Sequence, residues 1–277
     1  MNGLQYWAPS AATALGIVAT FIAGSVAFQR FGASGEIARK AVHVACGLAA
    51  AIAPLLFARD QILAGVLLLG VGLPVGARLG LFQGVVTAQR SMAGPYYFLL
   101  AFAILVLIEG RPMFLATPLL VLAIADTAAS LAGRTWGRRV IRNTGGRTWI
   151  GTVAFLISAF LTTAVSLMVV GGQGPGLALC TALGVALATT AAEAIAPSAL
   201  DNLAVPIVAY LVLRLAEIWP TGSLENLVLL AQLAGALAIS VVARRARWLT
   251  DLGALSVLGL AVLIVAARGL PLALTLL

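Results

Sequence analysis

Ten stretches of the chain are almost wholly apolar, separated by short polar or glycine- and proline-containing segments. They run over about 8–28, 38–57, 61–79, 95–109, 112–132, 150–170, 176–196, 201–218, 225–243 and 249–268. A helix needs about 20 such residues to cross the hydrocarbon of a bilayer. The pattern predicts an all-α polytopic integral membrane protein with about ten transmembrane helices, forming a single integral membrane domain over residues 1–277. It shows no internal repeat, long linker or low-complexity tail. In the third run Gly72, Gly76 and Gly80 recur every four residues, which puts them on one face and predicts close helix packing. The segment before the first run carries no basic side chain, so that run is expected to remain as a helix and not to be cleaved as a signal peptide.

Composition agrees with the pattern. Hydrophobic residues make up 62% of the chain and charged residues 9%, against about 45–50% and about 25% in soluble domains. A soluble fold of this length could not hide so much apolar surface. The net charge is +8, from 17 basic and 9 acidic residues. Because the basic residues sit in short loops between apolar runs, they read as membrane topology signals and not as a nucleic-acid surface. The odd-numbered loops hold Arg30, Arg39, Lys40, Arg78, Arg90, Arg134, Arg138, Arg139, Arg142, Arg147, Arg244, Arg245 and Arg247. Arg59, Arg111, Arg214 and Arg268 fall to the other side. The odd loops are therefore expected in the cytoplasm and, with ten spans, both termini outside. Cys46 and Cys180 lie inside apolar runs and read as small buried hydrophobes, and with one histidine a zinc site is not expected.

Ionisable residues in apolar helices cost about 2.5–3.5 kcal/mol each on insertion scales, so those present invite a functional reading. Arg39, Lys40 and His43 share a helical face and suit a polyphosphate, or else a positive-inside anchor. Gly94-Pro95-Tyr96-Tyr97 reads as a turn into a helix with interfacial aromatics. Asp126, Ser130 and Gly133 share another face and lead into Arg134, Gly137, Arg138 and Arg139. A carboxylate to hold a metal, glycines for close backbone approach and guanidinium forks for phosphate oxygens are what a magnesium-bound polyphosphate requires. The same arginines would also suit anionic lipid. Arg147 precedes Gly151 and Thr152, whose backbone donors could cradle phosphate or simply cap a helix. Pro197 should stop the seventh helix, and Asp201 or Asn202 could cap the eighth. Glu193, near the end of an apolar helix, has no such structural reason; with Asp201 and Asn202 it could bind metal or ribose, or accept a proton from a substrate hydroxyl. On the loop-derived topology every one of these groups lies at a cytoplasmic helix end. The sole lysine is not in a Gly-Lys-Ser/Thr loop, so no Walker A motif is present.

Taken in order, Arg39-Lys40-x-x-His43, Gly94-Pro95-x-Tyr97, Asp126-x-x-Ala-Ser130-x-x-Gly133-Arg134-x-x-Gly137, Gly151-Thr152 and Glu193…Asp201-Asn202-x-x-x-Pro206 resemble the dolichol kinase and phytol kinase family, which includes a CTP-dependent diacylglycerol kinase. The resemblance covers about residues 36–210. It implies transfer of the γ-phosphate of CTP to the hydroxyl of an isoprenoid alcohol or related lipid, assisted by Mg²⁺ or another divalent cation. It places the functional basic pair on Arg39 and Lys40 and the key carboxylate and glycine on Asp126 and Gly133. Where family members tend to show Lys-Ser/Thr-x-Glu-Gly, this chain has Arg147-Thr148-Trp149-Ile150-Gly151, with Ile150 in place of an acid. The implied partners are CTP, a lipid alcohol and membrane lipids; no oligomeric state is specified. Asp126 is expected to hold the metal with Glu193 or Asp201, and His43 or Asp201 to accept the proton. Two rival readings are a cytidylyltransferase forming a CDP-lipid, whose paired-acid motif near the C-terminal end is not visible, and a transporter, whose site would lie nearer mid-membrane.

Overall fold

The computed structural model describes residues 35–79, 93–140, 146–196 and 199–218, with a few isolated positions near the N-terminus. The expected runs 8–28, 225–243 and 249–268, together with Gly80 and Pro197, lie outside the described residues. Within them are seven helices: α1 (Gly35–Leu56), α2 (Arg59–Arg78), α3 (Ala93–Ile108), α4 (Pro112–Trp136), α5 (Trp149–Val169), α6 (Pro175–Ile195) and α7 (Asp201–Ile218). Their limits follow the apolar runs closely because the breakers between runs are local. Pro112 and Pro175 open α4 and α6 at a position where a missing N–H costs nothing. Ala196 ends α6 with ψ 132°, the extended conformation imposed on a residue before proline.

Helices α1, α2, α4, α5 and α6 are long and apolar enough to cross a membrane, and α3 is a shorter apolar helix. Large apolar side chains face outward along them; Leu67 is 72% and Val169 77% exposed. Such surface is unfavourable in water by about 25 cal/mol per Å² and costs nothing against acyl chains. The protein is an integral membrane protein.

At the centre lies α4, where Leu119, Val121, Leu122, Ala123 and Ala125 are fully buried. It packs against α1, α5 and α7, while α6 packs on α5 and α7, and α3 on α7 and α2. Gly47 of α1 meets Ala123 so closely that a β-carbon there would collide with it, which seats α1 directly on α4. A hydrogen bond of 2.6 Å joins Thr117 of α4 to Ser166 of α5. Two expectations are corrected. A β-carbon on Gly72 would meet nothing among the described residues, so the expected close packing fails at that position, while Gly76, one turn further on the same face, is buried. Cys180 is exposed on α6 and Cys46 only half-buried, because both fall off the stripes that face neighbouring helices.

One end of the bundle is closed by an ionic cluster. Glu109, in the α3–α4 turn, accepts from the Gly110 and Arg111 backbone N–H groups and from the Arg111 side chain. Arg111 also grips Glu217 of α7 at 2.6 and 3.0 Å, and Arg214 joins Glu217 at 2.6 Å. Arg111 lies over the Phe114 ring at 4.1 Å. Arg59 donates to the carbonyls of Val106 and Leu107, satisfying the end of α3. Burial opposes ionisation of Glu109, but the hydrogen bonds from Arg111 and Gly110 outweigh it and hold the carboxyl below its usual range.

Candidate active site

The opposite end gathers the sequence-predicted residues. Lys40, Arg39 and His43 occupy the first turns of α1, and α1's seat on α4 brings them to Asp126. The Lys40 Nζ lies 2.5 Å from Asp126 Oδ2, and Lys40 is 4% exposed. The Nε2 of His43 lies 3.4 Å from the same oxygen. The imidazole hydrogen-bonds the Leu122 carbonyl, one helical turn before Asp126. Its Nε2 has no hydrogen-bond partner among the described residues. The ring of Phe98 on α3 meets the imidazole edge-on at 6.3 Å. Arg39 is half-buried, and its charge reaches both Asp126 and His43.

Beyond Asp126 the chain runs through Ser130 and Gly133 to the end of α4, returns through a single bridge between Val140 and Thr148, and enters α5. Thr148 caps α5, its hydroxyl accepting from the Gly151 N–H at 3.1 Å, while the Thr152 N–H goes to the Thr148 carbonyl. Both donors are engaged in the helix cap. A β-carbon on Gly133 would come within 2.8 Å of the Thr148 hydroxyl, and one on Gly151 within 2.9 Å of the Ala129 carbonyl. The glycines, with Gly137, thus permit the ends of α4 and α5 to touch. The Thr152 hydroxyl is buried and without a partner among the described residues. Arg134, Arg138 and Arg139 are exposed around the same rim, and Ile150 is also exposed.

Arg147, just before the cap, reaches across to the α6–α7 elbow. Its Nε donates to Glu193 Oε1 at 2.5 Å, Nη1 to the Ala196 carbonyl at 2.9 Å, and Nη2 to Asp201 Oδ2 at 3.2 Å. The elbow turns through Ala199, whose φ of 76° is left-handed and costs an alanine about 1–2 kcal/mol. Asp201 begins α7 and accepts from the Asn202 N–H at 2.9 Å. Gly94 at the start of α3 lies against Asn202; a β-carbon there would be 3.1 Å from its Nδ2. Pro206 has no N–H to give the Asn202 carbonyl four residues earlier, leaving that carbonyl without its helical donor. The Oε2 of Glu193 is buried and has no partner among the described residues. The charge of Asp126 reaches both Glu193 and Asp201.

All five sequence-predicted groups therefore meet at one end: α1 with α4 through Lys40 and Asp126, α4 with α5 through Gly133 and Thr148, α5 with the elbow through Arg147, and α3 with α7 through Gly94 and Asn202. Phe98 and Thr148 belong to this end and were not among the predicted residues. Thr148 was legible as a helix-capping residue type three positions before Gly151; Phe98 carries no local signal. Among the described residues no three of His, Cys, Asp and Glu gather closely enough to hold a metal by themselves.

A phytol kinase of Synechocystis sp. is 31% identical to this chain over 205 residues, which take in 70% of this chain and 87% of that protein. No protein-family profile matches the chain, and no solved structure matches it. Membrane-crossing helices and this similarity define the class: an integral membrane kinase that phosphorylates a lipid alcohol. The chain belongs to the phytol kinase and dolichol kinase family.

Proposed function

We propose that the protein transfers the γ-phosphate of CTP to the hydroxyl of an isoprenoid alcohol such as phytol, geranylgeraniol or a polyprenol, at the cytoplasmic face, within a bundle of about ten spans. The observation that carries the reading is the convergence of five separate polar groups on one end of an otherwise apolar bundle. The cytoplasmic assignment rests on the bias of basic residues toward loops at that end. CTP follows from the family resemblance, and phytol from the similar Synechocystis protein.

The residues suit a divalent cation. Glu193 presents a buried carboxylate oxygen with no partner among the described residues, and the charges of Asp126 and Asp201 act at the same place. Magnesium is commonly held by one or two carboxylates together with substrate phosphates, so a closed cage of protein ligands is not required. Asp126, Glu193 and Asp201 are the groups that would hold it. When bound, it would neutralise charge on the polyphosphate.

The chain's own residues do the rest. Arg39 and Lys40, with Arg134, Arg138 and Arg139 on the rim, supply positive potential for the triphosphate, and Lys40 remains anchored by Asp126. Gly133, Gly137 and Gly151 keep the α4 and α5 ends close, so that the Thr152 hydroxyl and the Asn202 amide stand beside the nucleotide. The lipid hydroxyl attacks the γ-phosphorus; the new O–P bond forms as the bond to the β–γ bridging oxygen breaks, and CDP leaves. Of the two candidates for the hydroxyl proton, Asp201 has both oxygens hydrogen-bonded, whereas Nε2 of His43 has no hydrogen-bond partner among the described residues and lies 3.4 Å from the Asp126 carboxylate, which would stabilise an imidazolium. This favours His43 as acceptor. Positioning and charge stabilisation account for most of the rate in such transfers.

The test is to incubate the purified protein in lipid with magnesium, γ-labelled CTP or ATP, and a panel of lipid alcohols. Label passing from CTP into one alcohol, with CDP as co-product, is expected. Release of pyrophosphate would indicate a CDP-lipid product, and label from ATP alone would overturn the choice of donor.

A further inference from the structure

Arg147 belongs by residue type to the phosphate-binding set, yet its side chain is already committed. All three guanidinium nitrogens donate within the protein: to Glu193 Oε1, the Ala196 carbonyl and Asp201 Oδ2. The three side chains are only 16%, 9% and 18% exposed. A phosphate ligand would have to turn a donating edge toward the nucleotide, and doing so here would leave two carboxylates and a helix-end carbonyl without their cation.

The backbone beside it is equally fixed. Thr148 is pinned between Gly133 and Gly151, so Arg147 leaves the α5 cap from a rigid base. On the far side the elbow is strained at Ala199 and has to be held. A planar fork can meet two carboxylates and a carbonyl at once, which a single ammonium cannot do. By occupying Oε1 of Glu193, it also decides which oxygen of that carboxylate stays open, and Oε2 is the one without a partner among the described residues.

We infer that Arg147 is a positioning residue: its guanidinium holds Glu193 and Asp201 in register with the α4–α5 end of the site, and it does not bind the nucleotide's phosphates. This rests on the kinase reading above, and it concerns how the acids are kept in place.

Full-length protein in lipid is compared as wild type, Arg147→Gln, Arg147→Lys, Glu193→Gln and the double variant Arg147→Gln/Glu193→Gln. Three quantities are read: kcat with magnesium, and the calorimetric Kd for CTP without acceptor lipid, once with and once without magnesium. Misplaced acids lower kcat by about 10²-fold and weaken the magnesium-dependent part of CTP binding, while the Kd for metal-free CTP moves by less than about threefold, within about 0.7 kcal/mol. Arg147→Lys recovers part of kcat, because one of the carboxylates keeps a cation. In the Glu193→Gln background the loss from Arg147→Gln shrinks, since the two changes break the same contact. A tenfold or greater weakening of metal-free CTP binding, equal in both backgrounds, would overturn the proposal and return Arg147 to the phosphates. If wild type transfers no phosphate, the kinase reading fails. The positioning claim is then judged from unfolding midpoints alone: non-additive shifts for Arg147→Gln and Glu193→Gln support it, and additive shifts overturn it. Should Arg147→Gln fail to fold, the same cycle is run with Arg147→Lys.

Discussion

At one end of the bundle, Glu109 and Glu217 have every carboxylate oxygen occupied by a donor, and Arg59 closes the last carbonyls of α3. At the other end, Lys40, Asp126, Arg147, Glu193 and Asp201 are buried or nearly so. Yet Nε2 of His43, Oε2 of Glu193 and the Thr152 hydroxyl have no hydrogen-bond partner among the described residues. Leaving a buried polar group unpaired costs about 1–3 kcal/mol. A cluster selected only to tie helices together would resemble the ionic cluster of the first end, with Arg111 stacked on Phe114 and no carboxylate oxygen spare, although Gln173 Oε1 in the nearby α5–α6 connection is also buried without a partner among the described residues. The second end retains several costly vacancies within a few helical turns, which is the condition of a site that completes its bonding when something else arrives. Along α4, Arg111 and Asp126 are separated by about 22 Å at 1.5 Å per residue, so the two ends can be perturbed independently.

The comparison can be broken first at Lys40. Lys40→Met leaves Asp126 without its ammonium in an apolar setting. The expected loss is about 3–5 kcal/mol of stability, together with loss of phosphoryl transfer, read from unfolding in detergent and from label transfer. A variant as stable as wild type would mean that the pair is not buried as described. At the other end, Arg111→Ala strips both acids of their main partner. It is expected to cost about 1–3 kcal/mol, the penalty for leaving Oε2 of the buried Glu109 without a donor while Oε1 keeps its two backbone N–H groups, with kcat per folded molecule unchanged. A fall in kcat out of proportion to the folded fraction would remove the distinction between the ends. The smallest effect is that of pH. Glu109 has a folded-state pKa below its unfolded value. Its contribution is therefore complete above the ordinary glutamate range and is lost as pH falls through the lowered folded pKa. Acid titration of the unfolding midpoint should show this loss in wild type and not in Glu109→Gln.

Much of this architecture was visible in the chain alone, because helices in lipid are specified by local runs and local breakers. The seven described helices start and stop where prolines, glycines and charges interrupt the apolar pattern. The i, i+3 and i, i+4 relations of Lys40 with His43 and of Asp126 with Ser130 were legible for the same reason. Pairings between helices were not. Arg147 finds Glu193 across 46 residues and Asp201 across 54, and Arg111 finds Glu217 across 106. No periodicity within one segment encodes such a match. Residue type alone offered Arg147 as a phosphate ligand and left Gly151 between a phosphate cradle and a helix cap; it gave no sign that Arg147 meets Glu193 and Asp201 or that Gly151 lies against the end of α4. On α2, spacing put Gly72 and Gly76 on one face but could not say that Gly76 would be buried and Gly72 left open.

The central claim is that the end bearing Asp126 carries the chemistry and the end bearing Glu109 does not. The most direct test sets Asp126→Asn beside Glu109→Gln in the same label-transfer assay, with each rate divided by the folded fraction. The account predicts that Asp126→Asn lowers transfer by about 10²-fold or more while Glu109→Gln keeps the wild-type rate. Undiminished transfer by well-expressed Asp126→Asn would contradict it.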